Sequence, residues 1–107
     1  MQATLAIEWL PASALDAASE FHEAWLDGAL ELLEGDADSL AIVMPAAAYD
    51  HADWRRAAVR DLAREAAPKR VNLIAGSDAE ALAQTAAWLE GAPGVTGQYL
   101  EVGGAPC

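Results

Sequence analysis

Cysteine is almost missing from this chain: of 107 residues only Cys107 is one. Without a second cysteine it forms no internal disulfide, which excludes the oxidised framework that staples many small secreted domains. Long apolar runs are missing too. The longest uncharged stretches, such as residues 40–49, fall well short of the roughly 20 residues that span a bilayer. The N-terminus carries no basic segment followed by an apolar one, so no secretory signal is read there. These absences predict a cytoplasmic chain with no membrane contact. Basic charge is scarce as well, with six Lys and Arg against 17 Asp and Glu and a formal net charge of −11. That balance excludes a nucleic-acid partner, because phosphate binding needs concentrated Lys and Arg. Residues 1–53 hold no Lys or Arg, and all six (Arg55, Arg56, Arg60, Arg64, Lys69 and Arg70) fall in one short window. This asymmetry is the strongest purely physical signal in the sequence.

What is present reads as one folded unit. Domains cluster at roughly 100–150 residues, so residues 1–107 are a single domain with one core. The chain is 54% hydrophobic, which excludes disorder. TLAIEWL, residues 4–10, predicts a strand broken by Pro11. Ser13 and Asp16 then resemble a capping box, and Leu15, His22, Trp25, Leu26, Ala29, Leu30 and Leu33 recur at helical spacing up to Gly35. LAIVM, residues 40–44, is a continuous apolar run of the kind buried on both faces of a sheet, and Pro45 ends it. Asp50 is placed to cap a second helix running to about Ala67, where Pro68 stops it. RVNLIA (70–75) is the third strand, Ser77 and Glu80 form an S-x-x-E box for a third helix ending near Gly91, and Gln98–Val102 is the last strand. The order β-α-β-α-β-α-β implies an α/β fold: a half-sized, Rossmann-like layer of about four mainly parallel strands with three helices.

Single residues carry little chemistry. His22, three residues before Trp25, reads as a core or interface histidine. Asp50 and Asp53 around His51 are explained by favourable charge at a helix N-terminus, and a lone histidine lacks the further ligands of a metal site. No nucleophile elbow accompanies Tyr49, His51 and Asp53 as a hydrolytic set. Two stripes are more informative. Asp16, Glu20, Glu23, Asp27, Glu31 and Glu34 run down one face of the first helix, and Arg56, Arg60 and Arg64 run down the second at i,i+4. Each stripe repels itself, so together they imply mutual neutralisation, within one chain or across a two-fold axis. Four tryptophans are many for one small core, and Trp25 and Trp54 are candidate interface anchors.

LAREAAPKRVNLIAG and ALAQTAAWLEGAPGVTGQYLEVGG together resemble short-chain dehydrogenases/reductases. The first is similar to the stretch after that family's catalytic helix, with its V-N-x-I strand; the second is similar to the closing helix and strand, with their T-G-Q-x-L-x-V-x-G-G ending. The resemblance covers residues 57–104 and implies a single truncated domain, the C-terminal half of that fold. It implies no cofactor and no catalysis, because the family's parts for both lack counterparts. No G-x-x-x-G-x-G turn is present for the NAD(P) pyrophosphate. The family's Tyr-x-x-x-Lys falls on Tyr49 and Asp53 in one register, or on Ala48 and Ala52 counted back from Pro68, and neither supplies the lysine. Met44 to Ala48 hold no serine, and Gly76-Ser77-Asp78 replaces the Pro-Gly loop. The family's dimers form through the two helices that correspond to residues 13–34 and 50–67. The expected role is therefore an assembly or accessory subunit, pairing with itself as a homodimer or with a full-length dehydrogenase-like chain. Trp25, Trp54, Arg56, Arg60, Glu23 and Asp27 are the candidate contacts. The alternative is a vestigial enzyme or small-ligand binder with a pocket at Tyr49, Gly76 and Ser77, where α/β sheets bind ligands. Loss of the fold's first half also predicts that Ala3–Trp9 is an open edge.

Overall fold

The computed structural model describes residues 1–103. Strands β1 (Gln2–Ala6), β2 (Ser39–Met44), β3 (Arg70–Ala75) and β4 (Tyr99–Glu101) form one parallel sheet in the order β1-β2-β3-β4. Gln2 pairs with Ser39, Ser39 with Arg70, and Leu73 with Tyr99. The two apolar runs, β2 and β3, take the central places and are buried almost throughout, as continuous hydrophobic strands require. β1 is an edge, as expected, but it lies at 2–6 and not at 4–10. Its ladder needs β2, and Pro45 ends β2; Ile7 N–H still reaches Val43 O at 2.8 Å, and nothing lies beyond it to pair with. Ile7 and Leu10 turn into the core, while Glu8 and Trp9 stay in solvent.

Helix α1 spans residues 14–34 in three parts: α-helix Ala14–Glu20, a π-helical turn Phe21–Trp25 and α-helix Leu26–Glu34. Ser13 Oγ accepts from Asp16 N–H at 3.3 Å, the first half of the expected capping box. The buried positions are Ala17, Phe21, Ala29 and Leu33. From Phe21 to Ala29 a regular helix would overshoot the core face by about 80°, and the wider π turn absorbs that excess. Leu15, ahead of the π turn, is 82% exposed and off the core face, and His22 is exposed while its neighbour Phe21 is buried, which removes the core reading of that histidine and leaves the interface one.

Helix α2 (Ala52–Ala66) grows directly out of a 3-10 turn at Tyr49–His51. Asp50 is therefore already inside the turn and caps nothing; Ala48 stands at the cap position without a side-chain bond. Helix α3 (Ala79–Glu90) begins one residue later than the S-x-x-E box implies. Asp78, not Ser77, caps it, with Oδ1 accepting from Glu80 N–H at 3.0 Å and Ala81 N–H at 3.4 Å.

Helices α1 and α2 share one face of the sheet, where Leu40, Ile42, Met44, Val71, Leu73 and Ala75 meet Ala17, Phe21, Val59 and Leu62 in one cluster. α3 lies on the other face. Its buried Leu89 falls outside that cluster, and the alternate β3 side chains, Arg70 and Asn72, turn to the α3–β4 segment. All three crossovers move the chain the same way across a parallel sheet, so β3-α3-β4 has the opposite hand to the other two.

Polar groups at the start of β3 tie the layers together. Lys69 Nζ donates to Leu33 O (2.6 Å) and Gly35 O (2.9 Å), and Arg70 Nη1 to Leu89 O (2.8 Å) and Ala92 O (2.9 Å). Two cations thus satisfy carbonyls at the negative ends of α1 and α3. Asn72 is buried, with Nδ2 donating to Val95 O (3.0 Å) and Oδ1 accepting from Gln98 N–H (3.1 Å). Beside it Val71 N–H donates to Thr96 Oγ1 (3.0 Å), and Gly97 N–H donates to Val71 O (2.7 Å). Gly97 holds φ +72°, the left-handed region that favours glycine.

Candidate functional site

Two surfaces gather the residues singled out from the sequence. The first is the outer side of the α1–α2 layer. Between the helices runs an open groove floored by Phe21, Leu26, Leu30, Ala58 and Leu62, with a volume of about 330 Å³. Leu30 and Glu65 also line the adjoining cavity of about 550 Å³, so the groove continues past Leu33 and Ala66 to Pro68. Glu23, Asp27, Glu31 and Glu34 stand exposed on α1; Arg56, Arg60 and Arg64 stand exposed on α2.

The two stripes do not meet within the chain. Among the described residues the ion pairs are the Met1 ammonium with Asp38, at 2.8 Å, and Arg64 with Asp61. The reason is the angular placement on α2. Ala58, Asp61 and Glu65 face the groove, whereas Arg56 lies on the far side with its guanidinium 5.9 Å from the Tyr99 ring of β4. Trp25 is half-buried against the core, and its indole N–H is buried without a partner. Trp54 is also half-buried, its ring 5.7 Å from Phe21 and its Nε1–H donating to His51 Nδ1 at 3.2 Å.

The second surface is the carboxyl end of the sheet. Gly76 and Ser77 border a cavity of about 210 Å³ with Ala46, Ala47, Glu101 and Val102. Tyr49 does not line it; it is 90% exposed on the 3-10 turn. Tyr49, His51 and Asp53 are not brought together, because His51 turns inward while the other two face solvent. His51 Nε2 meets Ala12 O at 2.9 Å and Nδ1 meets the Trp54 N–H. A carbonyl only accepts and an indole N–H only donates, so these partners select the tautomer protonated on Nε2. At Gly76 any Cβ would run into Val102 O, so glycine is what lets β4 close on β3, with Val102 N–H to Ala75 O at 2.8 Å.

Sequence reading missed Arg55. It is 1% exposed, on the core face of α2 with Val59 and Leu62. Nη1 donates to Pro45 O at 3.0 Å and to Tyr99 Oη at 3.4 Å, and the guanidinium carbon lies 5.5 Å from the Trp54 ring and 6.0 Å from that of Tyr99. Its Nε is buried and unpartnered, and no carboxylate among the described residues pairs with it. The signal was available: positions 55, 59, 62 and 66 form the helix's inward stripe, and one of the four is charged.

At the far end of the sheet the Met1 ammonium, accepted by Asp38 Oδ2, holds that carboxyl below its ordinary value of 3.8; Lys69 and Arg70 act in the same direction. Among the described residues no cluster of His, Cys, Asp and Glu is built to hold a metal ion, and no helix is long and apolar enough to cross a membrane.

Residues 5–102 match the family model described as short chain dehydrogenase-like protein. No curated protein and no solved structure matches the chain.

Proposed function

The chain belongs to the short-chain dehydrogenase-like family, and from that premise we propose that it is a non-catalytic assembly subunit, self-associating through the outer faces of α1 and α2. One observation carries this reading: an apolar groove lies open between the two helices, and the acidic stripe of α1 and the basic stripe on the outer side of α2 find no counter-charge in each other. In the paired copies the acidic face of one α1 meets Arg60 and Arg64 on the outer side of the other's α2, beyond the Asp61 and Glu65 rim of the groove. Leu26 and Leu30 then fill the opposing groove. The apolar contact supplies affinity, and the charged rims fix the register and discourage other partners.

The non-catalytic part of the proposal rests on the family's own chemistry. The residues present do not fit NAD(P). No G-x-x-x-G-x-G turn occurs in the sequence to let a backbone approach a pyrophosphate. Tyr49 faces solvent, with Asp53 and not a lysine four residues on.

Light scattering tests the assembly. The wild-type chain is expected at twice its monomer mass of 11.2 kDa. The double variant Arg60→Glu, Arg64→Glu sets acid against acid and is expected to run as a monomer with unchanged circular dichroism. A wild-type monomer at every concentration would sink self-association, and recovery of a full-length dehydrogenase-like chain in a pull-down from the native cell would then identify a heteromeric assembly.

A further inference from the structure

Between the β1–α1 connection and the start of α2 lies a further cavity, of about 290 Å³, walled in part by the Pro45–Ala48 stretch that lacks the family's serine and unused by the assembly reading. Its walls are Leu10, Pro11 and the backbone and methyl groups of Pro45–Ala48; its two polar side chains are His51 and Arg55. Arg55 is unusual on three counts. It is 99% removed from solvent, having 1% relative exposure. It has no carboxylate partner among the described residues. Its Nε–H donates to nothing. A buried guanidinium with neither a counter-charge nor a full set of acceptors is costly, and the folded chain keeps it beside an empty space.

The Pro45 carbonyl, the Tyr99 hydroxyl and the two aromatic rings hold the guanidinium in place but leave its full positive charge unneutralised. The first turn of α2, a helix of 15 residues, adds the positive end of its dipole at the same point, with no side chain capping it. His51 adds no charge while it accepts from Trp54 and donates to Ala12. Asp50 and Asp53 are the nearest acids in sequence; both are exposed and neither lines the cavity.

We infer that this cavity binds a small monocarboxylate with a short apolar tail, its carboxylate paired to Arg55 and its tail against Leu10, Pro11 and the Pro45–Ala48 segment. A single guanidinium matches one carboxylate, for which its planar fork is shaped, whereas a phosphate dianion calls for more donors than the walls provide. The inference is independent of assembly, since none of these walls belongs to the α1–α2 groove.

Butyrate is the probe. The chain contains five arginines, so Nε–H resonances from side-chain 15N-labelled protein resolve Arg55 individually. Titration with sodium butyrate is expected to move the Arg55 signal saturably, with a dissociation constant on the order of 1 mM, the range open to so few ligand atoms. Sodium chloride at matched ionic strength is expected to leave it in place. Ala47→Leu, which fills the cavity and keeps the arginine, weakens binding by roughly tenfold or more. Arg55→Met abolishes it while near-ultraviolet circular dichroism remains native. No saturation, an equal response to chloride, or undiminished binding by Ala47→Leu would each overturn the inference. If Arg55→Met fails to fold, the wild-type and Ala47→Leu titrations still decide. Tighter binding of inorganic phosphate than of butyrate would overturn the assignment to a carboxylate.

Discussion

At the scale of single residues, the family's signature letters serve the scaffold. Asn72, the N of the V-N strand, spends its amide on Val95 O and Gln98 N–H, and Thr96 and Gly97 of the T-G-Q turn both bond back to Val71. Asn72→Ala leaves a buried carbonyl and a buried N–H unpaired, and is expected to lower unfolding stability by about 1–3 kcal/mol in urea titration. Asp38 behaves differently because it is exposed. Its carboxyl is held low by the Met1 ammonium, so it is ionised in the folded state at pH values where the unfolded chain already binds the proton. Its contribution is full above the ordinary value of 3.8 and fades as pH falls below it. Acetylating the N-terminus is expected to raise the Asp38 midpoint in an NMR titration, while the other exposed carboxyls stay put.

At the scale of elements, the reading from sequence was accurate wherever one hydrophobic period governed the segment. β3 falls on RVNLIA residue for residue, and β2 on LAIVM with one added serine, because strands buried on both faces announce themselves by composition. α1 was legible in extent but not in facing. Leu15 already stands off the core face, and the π turn that begins at Phe21 depends on packing against the sheet, which local pattern does not encode. Caps slipped for a related reason. Ser77 and Asp78 are both good caps one residue apart, and Asp50 lost its place to a 3-10 turn favoured by the path out of β2. The strand-end cavity was legible in Gly76 and Ser77; the separate cavity beside Arg55 was not, because the burial of that arginine depends on rings from Trp54 and Tyr99 far apart in sequence. α1 also yields a test. Gly28 stands inside the helix, and a methyl group there would meet nothing within 4 Å. Gly28→Ala is expected to raise stability by about 0.5–1 kcal/mol, read from the thermal midpoint. A loss of stability would mean that this face is covered.

At the scale of the molecule, the two candidate surfaces lie on different parts of the fold and answer to different probes. Titration with NADH or NADPH, followed by tryptophan fluorescence, is expected to give no saturable change. Saturable binding of either would overturn the non-catalytic reading and leave the assembly test standing on its own. The sheet order has a further consequence, for the route by which the chain folds. Each strand pairs only with strands adjacent to it in sequence, so each closure spans a single β-α-β crossover. Among the described residues the hydrogen bonds that reach furthest along the chain are those of Gln2, whose Nε2 donates to Ala86 O at 2.9 Å and whose N–H meets Glu90 at 3.2 Å. Folding is therefore expected to add strands in the order of synthesis, with this last strap drawing the first strand down onto the final helix.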